Sequence, residues 1–417
     1  MRSLRICAAA LAAAAAGIPA GAEAQQAPQL SGNAFNPAIS LILDGKFASY
    51  ANDPESYAIS GFLLGEEAGL FNEGLSLDES ELVISSNIDD RFYGSFTAAL
   101  ATDAEGETEV EMEEAYLQTL ALPEGFTLKA GRFFSDIGYM NVQHAHRWEF
   151  ADEPLVYRAL LGTQYGDTGV QLKWLPPTER YIELGMEIMR GSGFPAGGAA
   201  NDGVGAFTLF AHTGGDVGTD HSWRAGISYL STESERRESD VGAFVPAAFT
   251  GDSDMLIADL VWKWAENGNP RQHNFVVQAE YMYRDEVGAI GFGESVSCNI
   301  IGDEIEVPYD GEQQGFYVQG VYQWRPRWRV GVRYDYLAAD NDAPDVISVP
   351  GLSLDLRDSL ADDDRDASRV TLMADWSHSE FSRLRLQVAA DRSTGDSDTQ
   401  LVLQYIMSLG AHGAHSF

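Results

Sequence analysis

Residues 316–336 read FYVQGVYQWRPRWRVGVRYDY, two alternating runs hinged at Pro326. In the first run Phe316, Val318, Tyr322 and Trp324 are apolar, with Gln319, Gln323 and Arg325 between them. In the second, Trp328, Val330, Val332, Tyr334 and Tyr336 alternate with Arg329, Arg333 and Asp335. Period two is the signature of a β-strand with unlike faces. Here the apolar face also carries tryptophans beside the turn. An indole ring favours hydrocarbon while its N–H favours the wet headgroup zone, so membrane barrels gather such residues in interfacial girdles. Trp174, Trp223, Trp262, Trp264 and Trp376 repeat the placement elsewhere in the chain. A soluble sandwich would scatter its tryptophans through a core.

Working outward, strand-like segments from residue 81 onward are joined by short and long connections in alternation. Short ones lie near Asp89–Arg91, Leu122–Gly125, Pro176–Glu179, Thr213–Asp220, Ala265–Arg271, Pro326 and His378–Glu380. Long ones fall near 102–108, 134–167, 191–203, 232–253, 285–314 and 338–367, with a smaller one at 393–398. Short periplasmic turns and longer external loops are the pattern of an outer-membrane barrel. Adding a strand over 38–50, ahead of a loop at 51–80, gives about 16 strands and puts both termini in the periplasm. The segment 57–64 is open, since a strand there would upset the count. In 109–121 Glu114 breaks the alternation, which predicts a bulge or shifted register.

The N-terminus agrees with that address. Arg2 and Arg5 precede the alanine-rich run Ala8–Ala16, and Ala22-Glu23-Ala24 is a small-x-small cleavage site. Residues 1–24 read as a signal peptide, 25–37 as a short periplasmic segment and 38–417 as the barrel. Cys7 leaves with the peptide, so Cys298 stands alone and no intrachain disulfide forms. Losing 1–24 removes two arginines and one glutamate, leaving 25 basic and 62 acidic residues, a net charge of −37. Such a chain repels nucleic acid. The acidic loop 338–367, with nine aspartates, and the acidic 51–80 loop suit divalent-ion bridging to lipopolysaccharide or plain solvation.

The last strand has one apolar face: Leu401, Leu403, Tyr405, Met407, Leu409, Ala411, Gly413, His415 and the terminal Phe417. It resembles the C-terminal recognition strand of Gram-negative outer-membrane proteins, which implies the barrel-insertion machinery as a partner. Lys129-Ala130-Gly131-Arg132-Phe133 followed by Gly138, a long loop, and Gly166-Asp167-Thr168-Gly169-Val170 resemble the strand and loop entry of phosphate-selective porins. The resemblance implies a porin. It does not extend to a lysine-rich constriction, so the solute is left open. A TonB-dependent receptor, with a plug and about 22 strands, needs a longer chain.

Two groups of residues are candidates for function. Arg327, Arg329, Arg333, Arg383 and Arg385 share lumen parity on nearby strands, and Arg369 enters between them. They read either as a positive wall lining the pore together with Asp335, or as struts paired with Asp335, Asp375 and Asp391. A positive wall in open water would favour anions weakly despite the acidic loops. The 134–167 loop is the candidate constriction, with His144, His146, Arg147, Trp148, Glu149 and Asp152, plus Glu153. His144-x-His146 beside carboxylates is a zinc or copper pattern, but two histidines in a loop fix no further ligands, so neither metal nor cofactor is assigned. His412 and His415 read as periplasmic interface residues. Asp220-His221-Ser222 lies in a periplasmic turn and no Gly-x-Ser-x-Gly occurs, so no enzyme is assigned.

The expectation is an all-β transmembrane antiparallel barrel acting as a passive channel for small hydrophilic solutes, in contact with lipid and lipopolysaccharide. The alternatives are a receptor-like barrel without a plug, which would take up a ligand or metal, and, behind it, an outer-membrane hydrolase. Monomer and homotrimer are both open.

Overall fold

The computed structural model describes residues 37–65, 68–102, 108–197, 203–241, 245–292, 305–343, 346–349, 352–355, 360 and 366–410. The signal-peptide reading, Cys298, His412, His415 and Phe417 lie outside these residues.

The first five strands are β1 (Ala38–Ser49), β2 (Gly74–Asn87), β3 (Phe92–Thr102), β4 (Thr108–Thr119) and β5 (Phe126–Phe134). After a loop holding the helix α1 (Leu155–Leu161) come β6 (Gly166–Trp174), β7 (Tyr181–Met189), β8 (Ala206–Val217), β9 (His221–Val241) and β10 (Val245–Ala265). Then follow β11 (Asn274–Phe292), β12 (Ile305–Arg325), β13 (Trp328–Asp342), and the small external hairpin β14 (Val346–Val349) and β15 (Leu352–Asp355). The chain ends with β16 (Ala367–Ser379), β17 (Ser382–Thr394) and β18 (Asp396–Gly410). Every wall strand pairs antiparallel with its neighbours, and β1 closes on β18 through Leu41↔Leu409 to Ser49↔Leu401. The sheet is a closed barrel of sixteen strands.

Its faces are inverted relative to a soluble protein. On β17 Leu384, Leu386 and Val388 point out and are 38–46% exposed, while Arg385 and Gln387 between them are at most 2% exposed. An apolar exterior on a closed sheet leaves no unpaired edge and is stable only against hydrocarbon. The tryptophan girdle forms along the short-turn end: Trp324, Trp328 and Trp376 follow one another with centroids 6.0 and 6.1 Å apart. Trp174 stacks on Phe126 and donates its indole N–H to the Glu124 carbonyl at 3.1 Å.

Two loop expectations change, and two open readings are decided. The loop expected at 232–253 is largely the top of the β9–β10 hairpin, and β11–β12 likewise extend into 285–314. Above the membrane both faces of a strand meet water, so a polar sequence there conceals a ladder satisfied by its partner's backbone. Residues 57–64 form no wall strand; they fold inward and bury Ile59, Phe62 and Leu63. The irregularity at 109–121 is a bulge: Thr97 pairs with Glu114 and Ala98 with Met112, so Glu113 is the extra residue. Gly131 has φ 133°, and a Cβ there would stand 2.2 Å from the Ala115 carbonyl oxygen, which accounts for glycine inside the Lys129–Phe133 stretch.

Candidate functional site

Loop 135–165 runs from β5 to β6 inside the barrel. Its sequence is amphiphilic, and the wall provides a patch to match. Ile137, Met140, Trp148 and the apolar residues of α1 pack against inward Met255, Ile257, Met282, Tyr317 and Leu337 in one buried cluster. Burying an aliphatic side chain of that size stabilises by roughly 1.5–3 kcal/mol, so the loop is held in the lumen rather than in solvent. Gly162 at φ 62° ends α1 in the left-handed conformation.

Wall carboxylates capture the loop's backbone. Glu280 accepts from the Tyr139 and Met140 N–H groups at 2.9 and 3.1 Å and from the Tyr157 and Tyr317 hydroxyls. Glu187 accepts from the Asp136 N–H at 3.0 Å and from the Ser135 and Thr208 hydroxyls. Neither glutamate stands out from spacing alone. The usable signal was a lumen-parity glutamate inside a mainly apolar strand, as in Tyr181–Met189.

The arginines take hold of the loop from β13, β16 and β17. Arg333 reaches Asp152 Oδ1 at 2.7 Å and Arg369 reaches Asp152 Oδ2 at 2.8 Å; both also donate to carbonyls of 152 or 153. Asp335 Oδ2 lies behind them, 3.1 Å from Arg333 and 3.3 Å from Arg369. Burial alone would raise the Asp152 pKa, but Arg333, Arg369 and Arg158 hold it well below the usual carboxylate range. Lower down, Arg329 bridges Glu149 at 2.6 Å and Asp375 at 2.7 Å. Arg385 donates to the Trp148 carbonyl at 3.0 Å and Arg383 to that of His146 at 2.7 Å.

These side chains face inward, as their parity requires, but for Arg333, Arg369 and Arg385 the space they face is occupied by the loop. Each is at most 1% exposed. Arg327 departs from the stripe: with Pro326 it makes the exposed turn between β12 and β13, at φ 72°, so it belongs to neither strand.

Further round the barrel, past β18 and β1, His144 and His146 meet β2 and β4. His144 Nδ1 is 3.3 Å from Glu81 Oε2 and 3.2 Å from Glu113 Oε2, and its Nε2 is 3.1 Å from Glu114 Oε2. His146 Nδ1 lies 2.6 Å from Glu81 Oε1. Burial opposes charge on His144, yet Glu81, Glu113 and Glu114 together raise its pKa well above that of a free imidazole. Arg147 follows His146 in the same 3-10 turn, and Trp148 is buried with its indole N–H donated to the Gln143 carbonyl at 2.6 Å.

A recess lies elsewhere on the lumen side. Near the girdle end of β7–β10, Tyr139, Tyr181, Asp216, Ser222, Arg224 and Lys263 line a recess of about 410 Å³. Arg224 lies over the Tyr139 ring at 5.2 Å, and Lys173, partly exposed nearby, pairs with Asp136 at 2.8 Å. His221, from the Asp-His-Ser run, is stacked on Trp262.

No protein-family profile matches the chain. Among solved structures it is similar to the loop L8 deletion mutant of OmpT, an outer membrane protein of Vibrio cholerae. That likeness has a TM-score of 0.54 at 12% identity, covering 90% of this chain and 100% of the other. It is also similar to an anion-selective porin from Comamonas acidovorans, with a TM-score of 0.51 at 12% identity, covering 90% and 99%. These identities speak for the fold, which is that of the outer-membrane porin barrels. In sequence the chain is 32% identical over 421 residues to an uncharacterized protein of Aquifex aeolicus (strain VF5), covering 94% of this chain and 82% of that one. The chain therefore belongs to the family of that Aquifex aeolicus protein.

Proposed function

We propose that this protein is an outer-membrane channel for passive diffusion of small hydrophilic solutes. The observation that carries the reading is loop 135–165, latched inside a sixteen-strand barrel with a charged recess beside it. A barrel of this strand number encloses an aqueous lumen unless something fills it. Here loop 135–165 and the inward-folded residues 57–64 fill part of it and leave Lys173, Arg224 and Arg329 partly exposed to whatever passes. Purified protein in planar bilayers should give ohmic conductance steps. Silence with tight ligand binding would make it a receptor-like barrel, and turnover of lipid or peptide would make it a hydrolase.

The remaining partners follow from the exterior. Lipid covers the apolar face, lipopolysaccharide the external rim, and the insertion machinery reads the β18 face that carries Leu401, Leu403, Tyr405 and Leu409. A homotrimer is the assembly we favour, because Gly94, Ala115 and Ala130 make a shallow apolar recess outside β3–β5, rimmed by Ile84, Phe96 and Leu117. Small residues there permit close approach of a second barrel. Light scattering of the detergent-corrected mass tests it; a monomer would refute it.

A further inference from the structure

The His-x-His pair lacks further ligands in sequence, but the fold supplies them from two strands. The β4 bulge at Glu113 turns two consecutive glutamates, 113 and 114, toward the same loop histidine. Glu81 reaches in from β2. We propose that Glu81, Glu113 and His144 bind a divalent cation of borderline hardness, of the zinc class, pinning the constriction loop to β2 and β4.

Three observations carry this. First, the ligand atoms have the right spacing: His144 Nδ1, Glu81 Oε2 and Glu113 Oε2 all lie within 4.8 Å of one another, and the two histidine distances are 3.3 and 3.2 Å. Donors about 2.0–2.1 Å from a tetrahedral ion stand about 3.3 Å apart. Second, these same three atoms are buried and make no hydrogen bond, and the Glu81 side chain is wholly shielded from solvent. One ring nitrogen has at most one proton to offer two buried carboxylate oxygens, so at least one oxygen goes without a donor, and an ion at their centre satisfies all three. Third, the far nitrogen is already occupied. His144 Nε2 faces Glu114 Oε2 at 3.1 Å, the carboxylate–histidine pairing that orients an imidazole and leaves its other nitrogen free for metal. Glu81 Oε1 is likewise engaged by His146 Nδ1, so only Oε2 is left to bind. One nitrogen and two carboxylate oxygens suit zinc better than calcium or magnesium, which take all-oxygen shells with more ligands. Glu113 and His144 keep 10% and 15% of their side-chain surface, enough for water to complete the shell.

The full-length barrel in detergent, stripped with EDTA and titrated with Zn²⁺ against a chromophoric chelator, should bind one ion per chain. Co²⁺ in its place should give the intense visible bands of a four-coordinate site. His144→Ala and Glu113→Gln should each abolish stoichiometric binding. Glu114→Gln, which meets the histidine at its far nitrogen only, should weaken it by about 10- to 100-fold. His273→Ala, at a distant turn beside Glu266, should leave it unchanged. Heat-modifiable gel mobility verifies that each variant is folded; should one fail, the wild-type stoichiometry and Co²⁺ spectrum decide alone. No stoichiometric Zn²⁺ on the wild type, or binding that survives both ligand substitutions, overturns the site. Neither readout depends on solute flux, so the channel reading stands or falls separately.

Discussion

Asp152 Oδ2 lies 2.8 Å from the Arg369 guanidinium, joining a lumen loop to a wall strand 217 positions later. The same carboxylate holds Arg333 through its other oxygen at 2.7 Å and accepts from Gln387 at 2.7 Å. One side chain thus ties the loop to β13, β16 and β17. Asp152→Asn should release that side of the loop and leave buried cations without their counter-ion. Breaking one partner of a buried pair costs about 3–5 kcal/mol. Thermal denaturation should fall accordingly and single-channel conductance should rise. An unchanged conductance would mean the loop does not gate the path.

The pH dependence of that latch has a definite sign. The Asp152 pKa is depressed in the folded chain, so the unfolded chain binds protons more readily. The stability it contributes is therefore fully present above the unfolded value, about 3.9, and is lost only as pH falls through the lower folded value. The stability gap between wild type and Asp152→Asn should be flat from pH 7 to about pH 4 and close below it. A gap that closes between pH 7 and 5 would contradict the arginine pairing.

Much of this architecture was legible in sequence because one face of every wall strand must be apolar, and Trp328 or Leu386 reports that face directly. The bulge at Glu113 announced itself as a broken alternation. Strand tops were not legible, since at Glu238 or Asp254 both faces are wet and alternation has no physical cause. The site was half legible: parity put Arg333, Arg369 and Arg385 inside, but said nothing of what occupies the inside. Only the match between apolar loop residues such as Leu160 and inward Met255 and Met282 settles that, and it is a long-range relation that no spacing rule contains. Glu81 was missed for the same reason, since its histidine partners lie more than sixty residues away.

Topology can be checked by labelling. In a Cys298→Ser background, Glu238→Cys on the tall β9–β10 hairpin should react with an impermeant maleimide on intact cells. Asp220→Cys, in the short turn between β8 and β9, should react only after permeabilisation. The reverse pattern would invert the barrel.

Ion preference separates the sealed arginines from the open cations. Arg333 and Arg385 are buried against the loop, so their charge is spent locally on Asp152, Asp335 and Asp375. Replacing them with alanine should lower thermal stability and leave the reversal potential in a salt gradient unchanged. Arg224 and Lys173 each keep 24% of their side-chain surface beside the open recess. The acidic external loops act at the mouth, where salt screens them within about 8 Å. Charges in a narrow low-dielectric passage are screened less and their field is focused. Arg224→Ala combined with Lys173→Ala should therefore move the reversal potential toward cations. A shift produced by Arg333→Ala instead, with Arg224 and Lys173 silent, would place the water path along the arginine wall and the latch described above would have to be open in the membrane.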